Sequence, residues 1–195
     1  MNRLLLILIL TFSFQSLTKA DDIRDFEIEG MSIGDSLLDF FSIVEIKENY
    51  SGSQYPNKEF VLYYFTRMHN FKLYEGVTIA VKANDKNYFI YDIGGSIYFP
   101  NNFNKCLDKM KNIEKELRQI FSNVEVYSGE NLHPYDKSGK TRQVYTTYHF
   151  DSGDNSQIVC LDWSKELEKE GHIDELNLTI GLKEYGDFVS TRAFN

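Results

Sequence analysis

"NNFNKCLDKMKNIEKELRQIF", residues Asn101–Phe121, is the stretch on which the fold turns. Phe103, Cys106, Leu107, Met110, Ile113, Leu117, Ile120 and Phe121 recur at helical spacing, with Lys, Glu and Asp on the opposite side. That pattern predicts one long amphipathic helix. Around it lie runs rich in β-branched and aromatic residues: "FVLYYF" (Phe60–Phe65), "GVTIAVK" (Gly76–Lys82), "QVYTTYHF" (Gln143–Phe150), "SQIVCLDW" (Ser156–Trp163), "DELNLTIGL" (Asp174–Leu182) and "DFVSTRAF" (Asp187–Phe194). These read as strands. An apolar helix stripe among so many strands has a sheet to cover, so the expected class is α+β.

Nearer the N-terminus, "DFEIEG" alternates apolar and acidic residues and reads as a short strand. In "IEGMSIGDSLLDFF" (Ile28–Phe41), Ser32 and Asp35 form an S-x-x-D capping box. Ile33, Leu37, Phe40, Phe41 and Val44 then predict a helix that restarts at the Ser42–Glu45 pair and ends near Asn49. "KNYFIYDI" (Lys86–Ile93) is expected to form a hairpin strand after Asn84-Asp85, broken by Gly94-Gly95 before "SIYF". "SKELEKE" is a short helix closed by Gly171, and "SGENLHPYDKSGKTRQ" (Ser128–Gln143) reads as a long polar loop. The expected architecture is an antiparallel sheet with one long and one shorter helix packed on one face. An order of helix then strands occurs twice, from Ser32 to Ile93 and from Asn102 to Phe194, which leaves an internal duplication open.

The first twenty residues predict a compartment. Asn2 and Arg3 precede the apolar run Leu4–Phe14, and Thr18 and Ala20 occupy the −3 and −1 positions of a cleavage site. This is the three-part pattern of a secretory signal peptide, and the run is shorter than the ~20 residues a membrane span needs. The expected organisation is a signal peptide over 1–20 and a single α+β domain over 21–195, periplasmic or secreted, without a transmembrane segment in the mature chain. Removing 1–20 takes away Arg3 and Lys19, so 21 basic and 29 acidic residues become 19 and 29, and the net charge moves from −8 to −10. Such a balance argues against nucleic acid as a partner. Cys106 and Cys160, an even pair in an exported chain, are expected to form a disulfide.

Chemistry-bearing motifs are sparse. His69, His133, His149 and His172 lack zinc-site spacing, and no cofactor or metal is expected. "SGKT" (Ser138–Thr141) has Pro134 where a phosphate loop needs its first glycine. "DSGDNS" (Asp151–Ser156) reads as a turn between strands. The remaining candidate is the loop 128–142, where His133, Tyr135, Asp136, Lys137, Lys140 and Arg142 make a local positive island in an acidic chain. With almost no apolar side chain between Glu130 and Lys140, that loop is expected to be dispensable for folding.

"DDIRDFEIEGMSIGDSLLDFF" (21–41), "HPYDKSG" (133–139) and "CLDW" (160–163) resemble a family of small exported marine alphaproteobacterial proteins, a resemblance that carries over no catalytic residue. "GMSIGDSLLDFF" is also similar to the helix entry of small outer-membrane-assembly lipoproteins and of the β-lactamase-inhibitor-like fold. That likeness implies a non-catalytic α+β module working by protein contact, although the lipidated Cys of the lipoproteins is missing. The expected function is a cell-envelope binding or interaction module for an envelope protein or small ligand. A periplasmic hydrolase with its site near the 128–142 loop is the alternative.

Overall fold

The computed structural model describes residues 23–194, apart from positions 67, 69, 70, 122 and 135; the leader expected over 1–20 lies outside the described residues. The helix that decides the class, α2, runs from Phe103 to Ile120, with Asn102 as its N-cap, its side chain accepting from the Lys105 N–H. Eight antiparallel strands are described: β1 (Tyr50–Gly52), β2 (Phe60–Thr66), β3 (Gly76–Lys82), β4 (Asp92–Tyr98), β5 (Val124–Leu132), β6 (Arg142–Phe150), β7 (Asn155–Asp162) and β8 (Glu175–Gly181). They form one sheet in the order β1-β2-β3-β4-β8-β7-β6-β5. The fold is α+β.

The order is two four-strand meanders joined where β4 pairs with β8, from Asp92↔Gly181 to Tyr98↔Glu175. The chain leaves β4 at the centre and must restart at the far edge, four strand spacings or ~19 Å away. With 18 residues, α2 is ~27 Å long, enough to make that crossing along one face. It does so over β7 and β8.

Alternation sorts each strand into two faces. The inner face carries Val61, Tyr63 and Phe65 of β2, Val77, Ile79 and Val81 of β3, and Leu176, Leu178 and Ile180 of β8, all buried in one core. From α2, Cys106, Met110 and Leu117 close over it. Ile28, Met31, Ile33, Leu37, Phe41 and Ile46 cover the rest of that face from the N-terminal segment. Cys106 and Cys160 are both fully buried in this core and bridged, with their Cα atoms 6.0 Å apart. Asp162, which shares the Cys160 face, is the last residue of β7, where a carboxylate can reach water.

Several expectations are corrected. "DFEIEG" forms a single bridge, Ile28↔Met31, rather than a strand. Asp35 does accept from the Ser32 N–H at 2.8 Å, but Gly34 at φ +91° turns the chain instead of launching a helix. A 3-10 turn over Leu37–Asp39 follows, then α1 (Ile43–Glu48), so Phe40 and Val44 of the expected stripe face solvent. The second capping box is complete: Ser42 accepts from the Glu45 N–H and Glu45 accepts from the Ser42 N–H. Ser42→Ala should therefore cost about 1 kcal/mol in urea unfolding, with Ser42→Thr recovering most of it. An unchanged midpoint for the alanine variant would show that the cap contributes nothing.

Gly94 and Gly95 sit inside β4 and do not break it, being paired to both β3 and β8. A Cβ on Gly95 would stand 2.5 Å from the Tyr74 ring. The last expected strand is instead a helix, α4 (Lys183–Thr191), and it does not share the face that α2 covers. Tyr185, Phe188 and Val189 pack around Phe60, whose side chain points away from the Val61 face. Helix α3 (Lys165–Lys169), capped by Ser164, lies where "SKELEKE" places it.

Candidate functional site

Both ends of the loop singled out from sequence are strand. Ser128–Leu132 belongs to β5 and Arg142 opens β6, leaving residues 133–141 as the connection. Within it Asp136 is a hub, only 8% exposed. Its carboxylate accepts from the Ser138 N–H and hydroxyl, and from the Thr141 N–H and hydroxyl at 2.9 and 2.7 Å. Those donors, Thr141 foremost, hold its pKa far below the ordinary carboxylate range. Thr141 is fully buried and its hydroxyl oxygen in turn accepts from the Ser164 N–H at the start of α3. The connection is a clasp that ties the β5–β6 hairpin to α3, which corrects the expectation of a dispensable insertion.

Two cations of the positive island, Lys140 and Arg142, are neutralised by ion pairs. Lys140 bonds Glu166 at 2.8 Å, and Arg142 bonds Glu130 at 2.8 Å while standing 3.7 Å from Asp162 and over the Phe103 ring. Lys137 is exposed, and Tyr135 lies outside the described residues. The five described candidates therefore do not converge. His133 alone leads elsewhere: its ring packs at a tilt on Trp163, centroids 5.1 Å apart, and Trp163 packs likewise on His172 at 4.4 Å. Burial lowers the His133 pKa; Asp136 opposes that shift and His172 adds to it.

Trp163 opens onto the outer face of the sheet, which sequence reasoning passed over. Between α4 at one end and α3 at the other, no helix among the described residues packs on that face. One row across it reads Tyr64, Thr78, Gly94, Thr179, Gln157, Thr147 and Tyr127. The next reads Thr66, Gly76, Ser96, Asn177, Val159, Tyr145 and Gly129. Neither contains Asp, Glu, Lys or Arg, although these make up 26% of the chain. Neighbours satisfy one another: Asn177 donates to the Ser96 hydroxyl at 2.9 Å, and Gln157 donates to the Thr147 hydroxyl at 3.0 Å. A polar residue in every second position of "ELNLTIG" and "QVYTTYHF" was the available signal; which strands lie side by side was not.

Towards α3 the face deepens into a cavity of about 170 Å³ lined by Tyr64, Tyr98, Trp163, His172, Ile173 and Glu175. The Tyr64 and Tyr98 hydroxyls are 2.6 Å apart. Burial raises the Glu175 pKa, against the stabilising bond from Ser96. Burial also raises the Tyr64 pKa, as do Tyr98 and the nearby Glu175 charge.

No family model, curated protein or solved structure matches the chain. Among the described residues no three His, Cys, Asp or Glu side chains are grouped to hold a metal ion, and no helix is long and apolar enough to cross a membrane. What the site can do chemically rests on its own geometry: neutral hydrogen bonding, aromatic contact, and one enclosed carboxylate.

Proposed function

We propose that this protein is a non-catalytic binding module of the cell envelope that docks a protein partner on the outer face of its sheet. The observation that carries the reading is the pair of uncharged rows bordered by Tyr64, Tyr98, Tyr127 and Tyr145. Interface centres are depleted in charge and enriched in tyrosine, because desolvating a charge is costly while a phenol offers area and one hydrogen bond. The two rows run across seven strands, roughly 29 Å, long enough to form the centre of a protein interface. The leader pattern over 1–20 and the bridged cysteines support export to an oxidising compartment. The hydrolase reading gains nothing from the 128–142 loop, where every contact of Asp136 serves the clasp.

Immobilised protein exposed to envelope extract tests the surface. Thr147→Arg together with Thr179→Arg should reduce capture of any partner about tenfold, the effect of roughly 1.4 kcal/mol. Asp108→Arg, on the exposed side of α2, should leave capture unchanged. Equal capture by wild type and the double variant would sink the proposal.

A further inference from the structure

The cavity at the α3 end of the outer face combines three aromatic residues with a carboxylate. We infer that it is a binding site for an organic ammonium group, with Glu175 as counter-charge and Tyr64, Tyr98 and Trp163 as the aromatic wall. The inference goes beyond protein docking and does not depend on it.

Three observations carry it. First, the lining is mostly aromatic: Tyr64, Tyr98, Trp163 and His172 present π systems, and Glu175 presents the one carboxylate. An alkylated cation is drawn to ring faces by their quadrupole and, being weakly hydrated, loses little on leaving water. Second, among the described residues Glu175 forms no ion pair; its carboxylate has the Ser96 hydroxyl and lies near the Tyr64 phenol. A carboxylate held away from water without a basic partner is a poor structural element and a good receptor for a cation. Asp174 and Glu168 lie in the adjoining cavity, where Glu168 is already ion-paired to Lys165 at 2.6 Å. Asp174 is committed to the fold, accepting from the Trp163 N–H at 2.9 Å, so Glu175 is the group left for a ligand. Third, about 170 Å³ suits a small alkylammonium or a lysine head group rather than a nucleotide or a sugar chain. The hydroxyl pair of Tyr64 and Tyr98 fixes the two phenols against each other, so the wall is formed before a ligand arrives.

Trp163 is the single tryptophan of the chain and lines this cavity, so its fluorescence reports on it. The intact folded protein is titrated with tetramethylammonium chloride and with n-butylammonium chloride, against sodium chloride at equal ionic strength and tert-butanol as a neutral shape control. The expected result is a saturable change with at least one cation and none with tert-butanol. Saturation by tetramethylammonium points to a methylated small cation; saturation by n-butylammonium alone points to a lysine-type head group that donates to Glu175. Glu175→Gln should weaken binding about tenfold or more. Tyr98→Leu, which leaves the carboxylate in place, should also weaken it. Circular dichroism establishes that each variant is folded, and either folded variant suffices. No saturation with either cation, an equal response to tert-butanol, or undiminished affinity in a folded variant would overturn the assignment.

Discussion

Replacing Asp92 by asparagine should stabilise the protein at pH 8 and change it little at pH 4. Asp92 opens β4 on the outer face, beneath the Tyr185 end of α4, and its Oδ2 occupies the space that a side chain at Gly181 would fill. Among the described residues no hydrogen bond or ion pair compensates it, and burial pushes its pKa from the ordinary 3.8 to about 7. The same charge raises the Tyr185 pKa, after burial as the main cause. Between about pH 4 and pH 7 the unfolded chain releases this proton while the folded protein keeps it. Stability therefore falls as pH rises through that window and levels off above it. About three pKa units at 1.36 kcal/mol each set a ceiling on the order of 4 kcal/mol. Asparagine removes the ionisation in both states, so urea unfolding of wild type and variant at pH 4 and pH 8 isolates this one group. An equal effect at both pH values, or a loss of stability at pH 8, would contradict the account.

Loss of the Cys106–Cys160 bridge should be as large and of opposite sign. The bridge closes a loop with a sequence separation of 54. The chain-entropy model gives on the order of 4 kcal/mol for a loop of that size, less any strain in the native state. This link is well placed, because it joins α2, which carries the chain across the sheet, to β7, the middle one of the strands that it crosses. Cys106→Ala with Cys160→Ala should lower the urea midpoint accordingly, and the unfolded, unreduced wild type should show no free thiol. Two reactive thiols per chain, or a variant as stable as wild type, would exclude the bridge.

Where a periodic pattern extended over enough residues, the sequence was legible. The bounds of α2 and β3 agree with the stripe and with "GVTIAVK", because a residue buried on one face of a regular element must be apolar at that element's own period. The cysteine pairing was readable too, since both residues fell at core positions of elements expected to pack together. Short windows failed. "DFVSTRAF" holds β-branched residues and reads as a strand, yet the deciding i, i+3, i+4 set of Tyr185, Phe188 and Val189 begins before that window. In β5, most side chains are exposed on both faces, so an edge strand with Glu125, Ser128, Gly129 and Glu130 carries no alternation to find. Asp136-x-Ser138 was a visible side-chain turn, but the reach to Thr141 and α3 was not.

By itself, then, the amino-acid sequence determined the class, the helix that covers the sheet, the partner of each cysteine and the poverty of catalytic motifs. These follow from local periodicity and composition, which act within a few residues. The tertiary structure alone decided that β4 meets β8, and with it that Tyr64, Tyr98, Glu175 and Trp163 line one cavity. Strand pairing is a choice among long-range contacts, settled by the length of α2, the crossing it permits and the burial of a common face. It likewise spent the charges of the 128–142 loop on local partners, because an ion pair depends on where two side chains end and not on how near they lie in the chain.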